Sequence, residues 1–300
     1  MFGNLQILYA APMLNLQLII DGVLIGAIFA LAAYGLALVW GVMNVKNLAQ
    51  GDFVILGGYI AWYAQKTWGI HPIVMMPAVM VILFIFGWLL YITIIRLVIN
   101  RDLFTSLLAT FGLGLVIQQA LNLAFGPEVQ VATSGLETRT FFAGLQIAEI
   151  KVISLVLCSV LALIIILFMK RSRMGQAIRA TSQDARAARI MGIDTDKVYA
   201  FTFSLNSAIC GAAGVLIAMT WNIQPFYGIT YSIRSFVIVT AAGLGNLPGV
   251  IIAALGLGAA EQYGGFILGL ELQVAFLLIM LLGVLGYRQI QMAKLRQVVQ

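Results

Sequence analysis

Charge is what this sequence has least of. It holds 17 Lys or Arg and 11 Asp or Glu in 300 residues, 9% in all, against roughly 25% in an ordinary soluble domain. That scarcity excludes a soluble globular chain. Histidine is scarcer still, with His71 standing before Pro72 in a predicted loop, so no His cluster exists for a metal or a proton relay. The two cysteines, Cys158 and Cys210, stand alone inside apolar segments. Without paired spacing they predict neither a disulfide nor a metal site and read as small packing residues. The nucleotide pattern GxxxxGK[ST], the zinc pattern HExxH and the GxSxG elbow are all missing, so the chain itself is expected neither to hydrolyse ATP nor to cleave peptides. The N-terminus lacks the basic stretch of a secretory signal and runs straight into apolar sequence, which predicts that nothing is cleaved.

What is present is apolar sequence, 62% of the residues, in runs long enough at about 20 residues per crossing to span a bilayer repeatedly. Backbone groups in lipid must be satisfied internally, and unbroken apolar runs exclude a barrel, so an all-α polytopic membrane protein is expected. About eight hydrophobic segments can be read, near 16–43, 51–65, 72–95, 104–124, 152–169, 198–220, 235–260 and 264–286. No low-complexity linker divides them, which predicts a single membrane domain over residues 1–300.

The net charge of +6 comes largely from the passage 170–197, with seven Lys or Arg against three Asp, and from the tail residues Arg288, Lys294 and Arg296. Membrane orientation explains this better than nucleic acid, and it places 170–197 and the tail in the cytoplasm, with 125–151 outside. A cytoplasmic tail requires an odd number of crossings after an outer loop near 221–234. One of the last two segments is therefore expected to fail as a plain helix. The candidate is 235–260, because 243–249 (Gly-Leu-Gly-Asn-Leu-Pro-Gly) falls in its middle, where Pro lacks a donor and Gly weakens a helix. A similar interruption lies at 44–52. Two broken or re-entrant segments, one per half, point to a pathway between inverted repeats; the alternative is a pair of surface loops.

On this reading Asn44, Asn47, Gln50, Asp52, Gly243, Gly245 and Asn246 line the pathway, with Lys46 beside them. Asp52 or Asn47 could instead cap a half-helix beginning near Phe53, or do both. Asp21 and Glu261 are ionisable residues near segment ends. Gly22 with Gly26, and Gly265 with Gly269, have a spacing that lets helices approach closely, read as internal packing. Within 170–197, residues 175–189 contain no Pro and read as one thin helix on the cytoplasmic surface, or else as a solvated loop. Arg179 and Arg186 lie seven apart and would project from nearly one face. Gly192 is placed for a left-handed cap, and Asp194 or Thr195 for starting the next helix.

The run Arg173-Met174-Gly175-Gln176-Ala177-Ile178-Arg179-Ala180, then Asp184, then Gly192-Ile193-Asp194-Thr195-Asp196-Lys197-Val198, resembles the signature of LivH-type permeases, membrane subunits of ABC importers for branched-chain amino acids. Residues 47–52 are similar to that family's Asn-Phe-Ala-His-Gly-Glu stretch, with Gln50 in place of His and Asp52 in place of Glu. Residues 243–249 match its Gly-Ile-Gly-Ser-Ile-Pro-Gly stretch. The resemblance implies import of branched-chain or neutral amino acids across an inner membrane. It implies a coupling helix carrying Arg173, Gly175, Arg179, Ala180, Asp184, Arg186 and Gly192. It implies as partners a homologous second permease subunit, two ATP-binding subunits that hold the ATP and Mg, an extracytoplasmic solute-binding protein and membrane lipid, with no nucleic acid and no cofactor in this chain. The same family includes urea and short-chain amide permeases. A rival from another class, an ATP-independent secondary transporter or channel, is disfavoured by the charged central helix and by the few buried carboxylates.

Overall fold

The computed structural model describes residues 11–99, 101–140, 146–243, 245–269 and 272–298, with the side chains of 12, 103, 139–140, 273–274 and 288–298 outside the description. Leu244 and the side chains of Arg288, Lys294 and Arg296 therefore lie outside the described residues. The elements are α1 (Pro12–Met43), α2 (Gln50–Trp68), α3 (Pro72–Leu90, prolonged by a π-helical turn Tyr91–Ile95 and by Arg96–Val98), α4 (Leu103–Phe125), β1 (Thr138–Thr140), β2 (Gln146–Ala148), α5 (Glu149–Arg171), α6 (Arg173–Gln183), α7 (Ala185–Ile190), α8 (Thr195–Thr220), α9 (Gly228–Ala242), α10 (Leu247–Leu268) and α11 (Gln273–Val298). Among the described residues six helices are long and apolar enough to cross a membrane. The polytopic helical architecture stands, and β1 with β2 adds a short antiparallel ribbon in which Thr138 faces Ala148.

The bundle has a basic end, carrying α6 and α7, and a far end, carrying the ribbon. Long α1 and α8 run antiparallel through its middle: Phe29 of α1 lies against Trp221 at the end of α8, ring centroids 5.4 Å apart and tilted by 39°, while Gly35, six residues further along α1, meets Asn206, fifteen residues back along α8. The middle of each is almost wholly buried, whereas Met13, Leu16 and Ile19 in the first turns of α1 are exposed.

Each central helix is followed by a short connector and a helix that starts inside the protein. After α1 comes 44–49 and then α2; after α8 comes 221–227 and then α9. The start of α2 is deep, because Gln50 Nε2 donates to the Ala32 carbonyl at 2.8 Å. Ala32 precedes the end of α1 at Met43 by eleven residues, about 16 Å at ~1.5 Å per residue. The two units interleave. Helices α2 and α3 of the first pack on α8, and α9 and α10 of the second pack on α1. Backbones touch where the sequence is small. A Cβ on Gly57 of α2 would stand 2.6 Å from Gly211 Cα of α8, and one on Gly26 of α1 would stand 2.6 Å from the Ala254 carbonyl of α10. Gly22 also abuts Ala259, so the first GxxxG pair packs internally as expected. Gly269, by contrast, ends α10 with φ 91°.

The expected break within 235–260 is present, but two expectations around it need correction. The segment 235–260 is two antiparallel helices, α9 and α10, joined at the basic end: Gly243 ends α9 at φ 94°, Gly245 turns at φ 79°, and Asn246 caps α10 by accepting from the Gly249 amide at 3.1 Å. The motif that looked like an interrupted helix is a cap, turn and cap sequence, with Pro248 in the first turn where its missing donor costs nothing. The counterpart of the 44–49 connector is consequently 221–227 rather than 243–249. The predicted outer loop 221–234 also shrinks, since Arg234 lies within α9.

Candidate functional site

The residues singled out from the sequence fall in two places. The first is the joint where the N-termini of α2 and α9 meet. Its connector is non-helical and, beyond the exposed Asn44, buried or half-buried, so its inner backbone groups need partners from within the protein. Asn44 ends α1 in the left-handed region, φ 52°, and is exposed. Asn47 is fully buried and folds its Oδ1 back to accept from the Ala49 amide at 3.1 Å. Thr110 of α4 accepts from the Leu48 amide at 3.1 Å and donates toward the Lys46 carbonyl. Ser232 of α9 accepts from the Gly51 amide at 2.8 Å and donates to the Leu48 carbonyl at 2.7 Å. Gln50 also reaches Cys210 Sγ at 3.0 Å, which gives that lone cysteine a polar neighbour.

Asp52, in the first turn of α2, accepts from Gln118 Nε2 of α4 at 2.8 Å. It is wedged against Gly228, the first residue of α9. A carboxylate in a first helical turn meets the positive end of the helix dipole, and here a second helix begins beside it. The joint is thus a closed, hydrogen-bonded knot made from α2, α4 and α9. Asn47, Gln50 and Asp52 belong to it. Gly243, Gly245 and Asn246 do not, because they sit at the opposite end of α9.

The second place is the basic end. The expected single helix over 175–189 is two, α6 and α7, because Asp184 takes extended backbone (φ −154°) and caps α7, accepting from the Arg186 amide at 2.7 Å and the Ala187 amide at 3.0 Å. Those two bonds hold the Asp184 carboxyl below the usual carboxylate range. Asp194, which starts α8, is lowered likewise by the Lys197 amide. Arg179 and Arg186 therefore lie on different helices. Arg179 bends back to donate to the Met169 carbonyl at the end of α5, and Arg186 is exposed.

Ser172 caps α6 by accepting from the Gly175 amide at 2.8 Å. The helix turns Gly175, Ile178 and Thr181 inward, spaced three apart as one helix face requires. Gly175 lies on the end of α5 so closely that a Cβ would stand 2.6 Å from Met169 Cα. Gly192, at φ 87°, closes α7 as expected. Arg189 donates to Thr195 Oγ1 from Nε at 3.1 Å and Nη2 at 2.8 Å, which pins the return to α8. At the tip, Ile190 and Met191 are 85% and 82% exposed. Arg173 is exposed and Ala180 half-buried.

Sequence reasoning missed the strongest charge pair. Arg234 of α9 and Glu261 of α10 are 7% and 3% exposed and joined by a forked ion pair, with Arg234 Nε 3.0 and 3.1 Å from the two carboxylate oxygens. The guanidinium carbon lies 4.9 Å from the Phe29 ring, 5.0 Å from Tyr231 and 5.4 Å from Trp221. Those rings and Glu261 together offset its desolvation. A solitary Arg in the apolar run 228–242, flanked by aromatics, is the signal that marks it. Asp21 pairs with Lys151 at 2.8 Å, and His71 caps α3.

The family model described as "Branched-chain amino acid transport system / permease component" matches residues 18–285. The chain is 29% identical over 301 residues to the high-affinity branched-chain amino acid transport system permease protein LivH of Escherichia coli K12, covering 92% of this chain and 97% of that one. It is 27% identical over 298 residues to BraD of Pseudomonas aeruginosa, with the same coverage. It is 25% identical over 251 residues to LivM of Salmonella typhimurium, covering 76% of this chain and 59% of that one. No solved structure matches.

Proposed function

Since this chain belongs to the branched-chain amino acid transport system permease family, we propose that it is the permease subunit of an ABC importer that moves branched-chain or similar neutral amino acids across the inner membrane. The basic end is the cytoplasmic one, as the bias of Lys and Arg requires. Residues 1–300 form one transmembrane domain, and 170–197 is its coupling loop. The relatives include LivM alongside LivH, which supports a homologous second permease subunit. Two ATP-binding subunits would bind ATP and Mg and carry out hydrolysis, and an extracytoplasmic binding protein would deliver the solute; this chain would hold no cofactor.

One observation carries the coupling role: α6 is seated on the bundle by Gly175 and Ile178 and α7 by Ala188, yet Ile190 and Met191 are presented almost fully to solvent. An exposed apolar pair outside any membrane segment is a docking knob. Arg173, Arg179, Ala180, Asp184, Arg186 and Gly192 shape and cap the element that carries it. Force on the knob passes through Gly175 to α5 and through Arg189 and Thr195 to α8. Asn44, Gly243, Gly245 and Asn246 would flank the cytoplasmic mouth of the pathway. Asn47, Gln50 and Asp52 would form the fixed joint about which α2 and α9 tilt.

Reconstitution of the chain with its sister permease, ATP-binding subunits and binding protein in proteoliposomes tests this. Leucine uptake should need ATP, and Gly175→Ala should reduce solute-stimulated ATPase activity without altering leucine affinity of the binding protein. Uptake by vesicles that lack the ATP-binding subunits would instead establish an ATP-independent carrier.

A further inference from the structure

Two cavities open between α1, α5 and α10 and meet at Tyr34 and Ile166, so they lie end to end along one interhelical cleft. The larger, about 700 Å³, lies at the basic end and is walled by Ala37, Val42, Lys170, Arg179, Gln183 and Gly245 among others. The smaller, about 320 Å³, continues deeper between Ala27, Leu155, Ala162, Ile251 and Leu255. Along α5 the cleft runs from Lys170 to Leu155, and along α1 from Val42 to Ala27. Each run covers about 23 Å at ~1.5 Å per residue.

We propose that this cleft binds one anionic phospholipid from the leaflet at the basic end, with an acyl chain along its depth and the phosphate at Lys170 and Arg179. Length supports a lipid. One leaflet with its headgroups is about 20–22 Å thick, close to the depth of the cleft. Charge selects an anionic one. Lys170 and Arg179 stand at the mouth, and no Asp or Glu lines either cavity. Lys170 is exposed and makes no ion pair among the described residues. Arg179 gives the Met169 carbonyl only part of a guanidinium that carries five donors. Basic mouths over apolar interhelical grooves are suited to anionic headgroups.

Tyr34, buried and with no hydrogen-bond partner for its hydroxyl, lines both cavities. The transported solute fits poorly by comparison, because a zwitterion's ammonium would face two cations with no carboxylate nearby. The lipid would touch Gln183 of α6 and Gly245 of the α9–α10 turn, and so brace the coupling element against the bundle. The inference depends on the membrane setting and on no particular cargo.

Native mass spectrometry of the purified, delipidated transporter complex, titrated with phosphatidylglycerol or phosphatidylcholine of identical acyl chains, tests it. One phosphatidylglycerol per copy of this chain should be retained, about tenfold or more tighter than phosphatidylcholine. Lys170→Gln should erode that preference, and Ala162→Trp, which plugs the apolar depth, should lower retention of both lipids. Equal retention of the two lipids by the unaltered complex overturns the proposal, as does displacement of phosphatidylglycerol by equimolar leucine or inorganic phosphate. Should a variant fail to assemble, phosphatidylglycerol with a photoreactive acyl chain on the unaltered complex decides the matter. Labels on Leu155, Ile166 or Leu255 support the site, and labels confined to other helices refute it.

Discussion

Gly228 lies so close to Asp52 that a Cβ on it would stand 2.6 Å from the Asp52 Cγ. This contact joins the first helix of one interleaved unit to the corresponding helix of the other, at the depth where both begin. The two residues are 176 positions apart, and their juxtaposition follows from each long central helix being succeeded by a short connector and a helix that starts inside the bundle.

Gly228→Ala should therefore lower the thermal midpoint of the detergent-solubilised protein, by overpacking worth about 1–3 kcal/mol. Pairing it with Asp52→Gly, which vacates the space, should show a coupling of about 0.5–3 kcal/mol in a double-mutant cycle. Strict additivity of the two changes would mean that the contact does not hold the units together.

Arg234 and Glu261 make a second prediction. Removing either charge alone, by Arg234→Gln or Glu261→Gln, breaks the buried ion pair at a cost of about 3–5 kcal/mol. Replacing both with apolar residues of similar size, Arg234→Met with Glu261→Leu, should recover most of that loss. Melting of the three variants in one detergent separates the cases: a double variant as unstable as the singles would show that the pair is needed for more than mutual neutralisation.

The helical fold and the basic element were legible in the sequence because both rest on local signals. Apolar length marks a spanning helix, and Gly192 and Asp194 mark caps that the structure uses, whereas the Asp184 cap that splits the expected single helix in two was not read. The pairing of the breaks was not legible. The stretch 243–249 carries more Gly and Pro than 221–227, so composition favoured it, yet Gly and Pro there make an ordinary turn between antiparallel helices. The true counterpart starts at Trp221 and hides its irregularity among aromatics and Gln224, whose side chain donates to the Pro127 carbonyl at 3.0 Å. The partners of the first break, Thr110, Gln118 and Ser232, are supplied by α4 and α9 from distant sequence, and spacing within 44–52 holds no trace of them.

Ile190 and Met191 should be dispensable for folding and needed for assembly. Because both are more than four-fifths exposed, Ile190→Glu with Met191→Glu should leave the melting temperature of the isolated chain within experimental error. Co-purification of ATP-binding subunits with the same variant should fall sharply. Full recovery of those subunits would move the docking surface elsewhere on the basic end.

The Asp184 cap gives the coupling element a pH response whose sign can be worked out. Amide donation from Ala187 and Arg186 lowers its folded pKa below the ordinary value of 3.8. The cap's contribution is then fully present above the unfolded value, about 3.9, and is lost as pH falls through the depressed folded one. Helix α7, only six residues long, has little propensity of its own to persist without it. Hydrogen exchange of amides 185–190, corrected for intrinsic rates, should show protection at neutral pH that declines in strong acid. Asp184→Asn keeps an acceptor for the same amides and cannot be protonated in this range, so its protection should stay level across the series while Asp184→Ala is unprotected throughout. An Asn variant that loses protection in acid as the unaltered protein does would place the titrating group outside the cap.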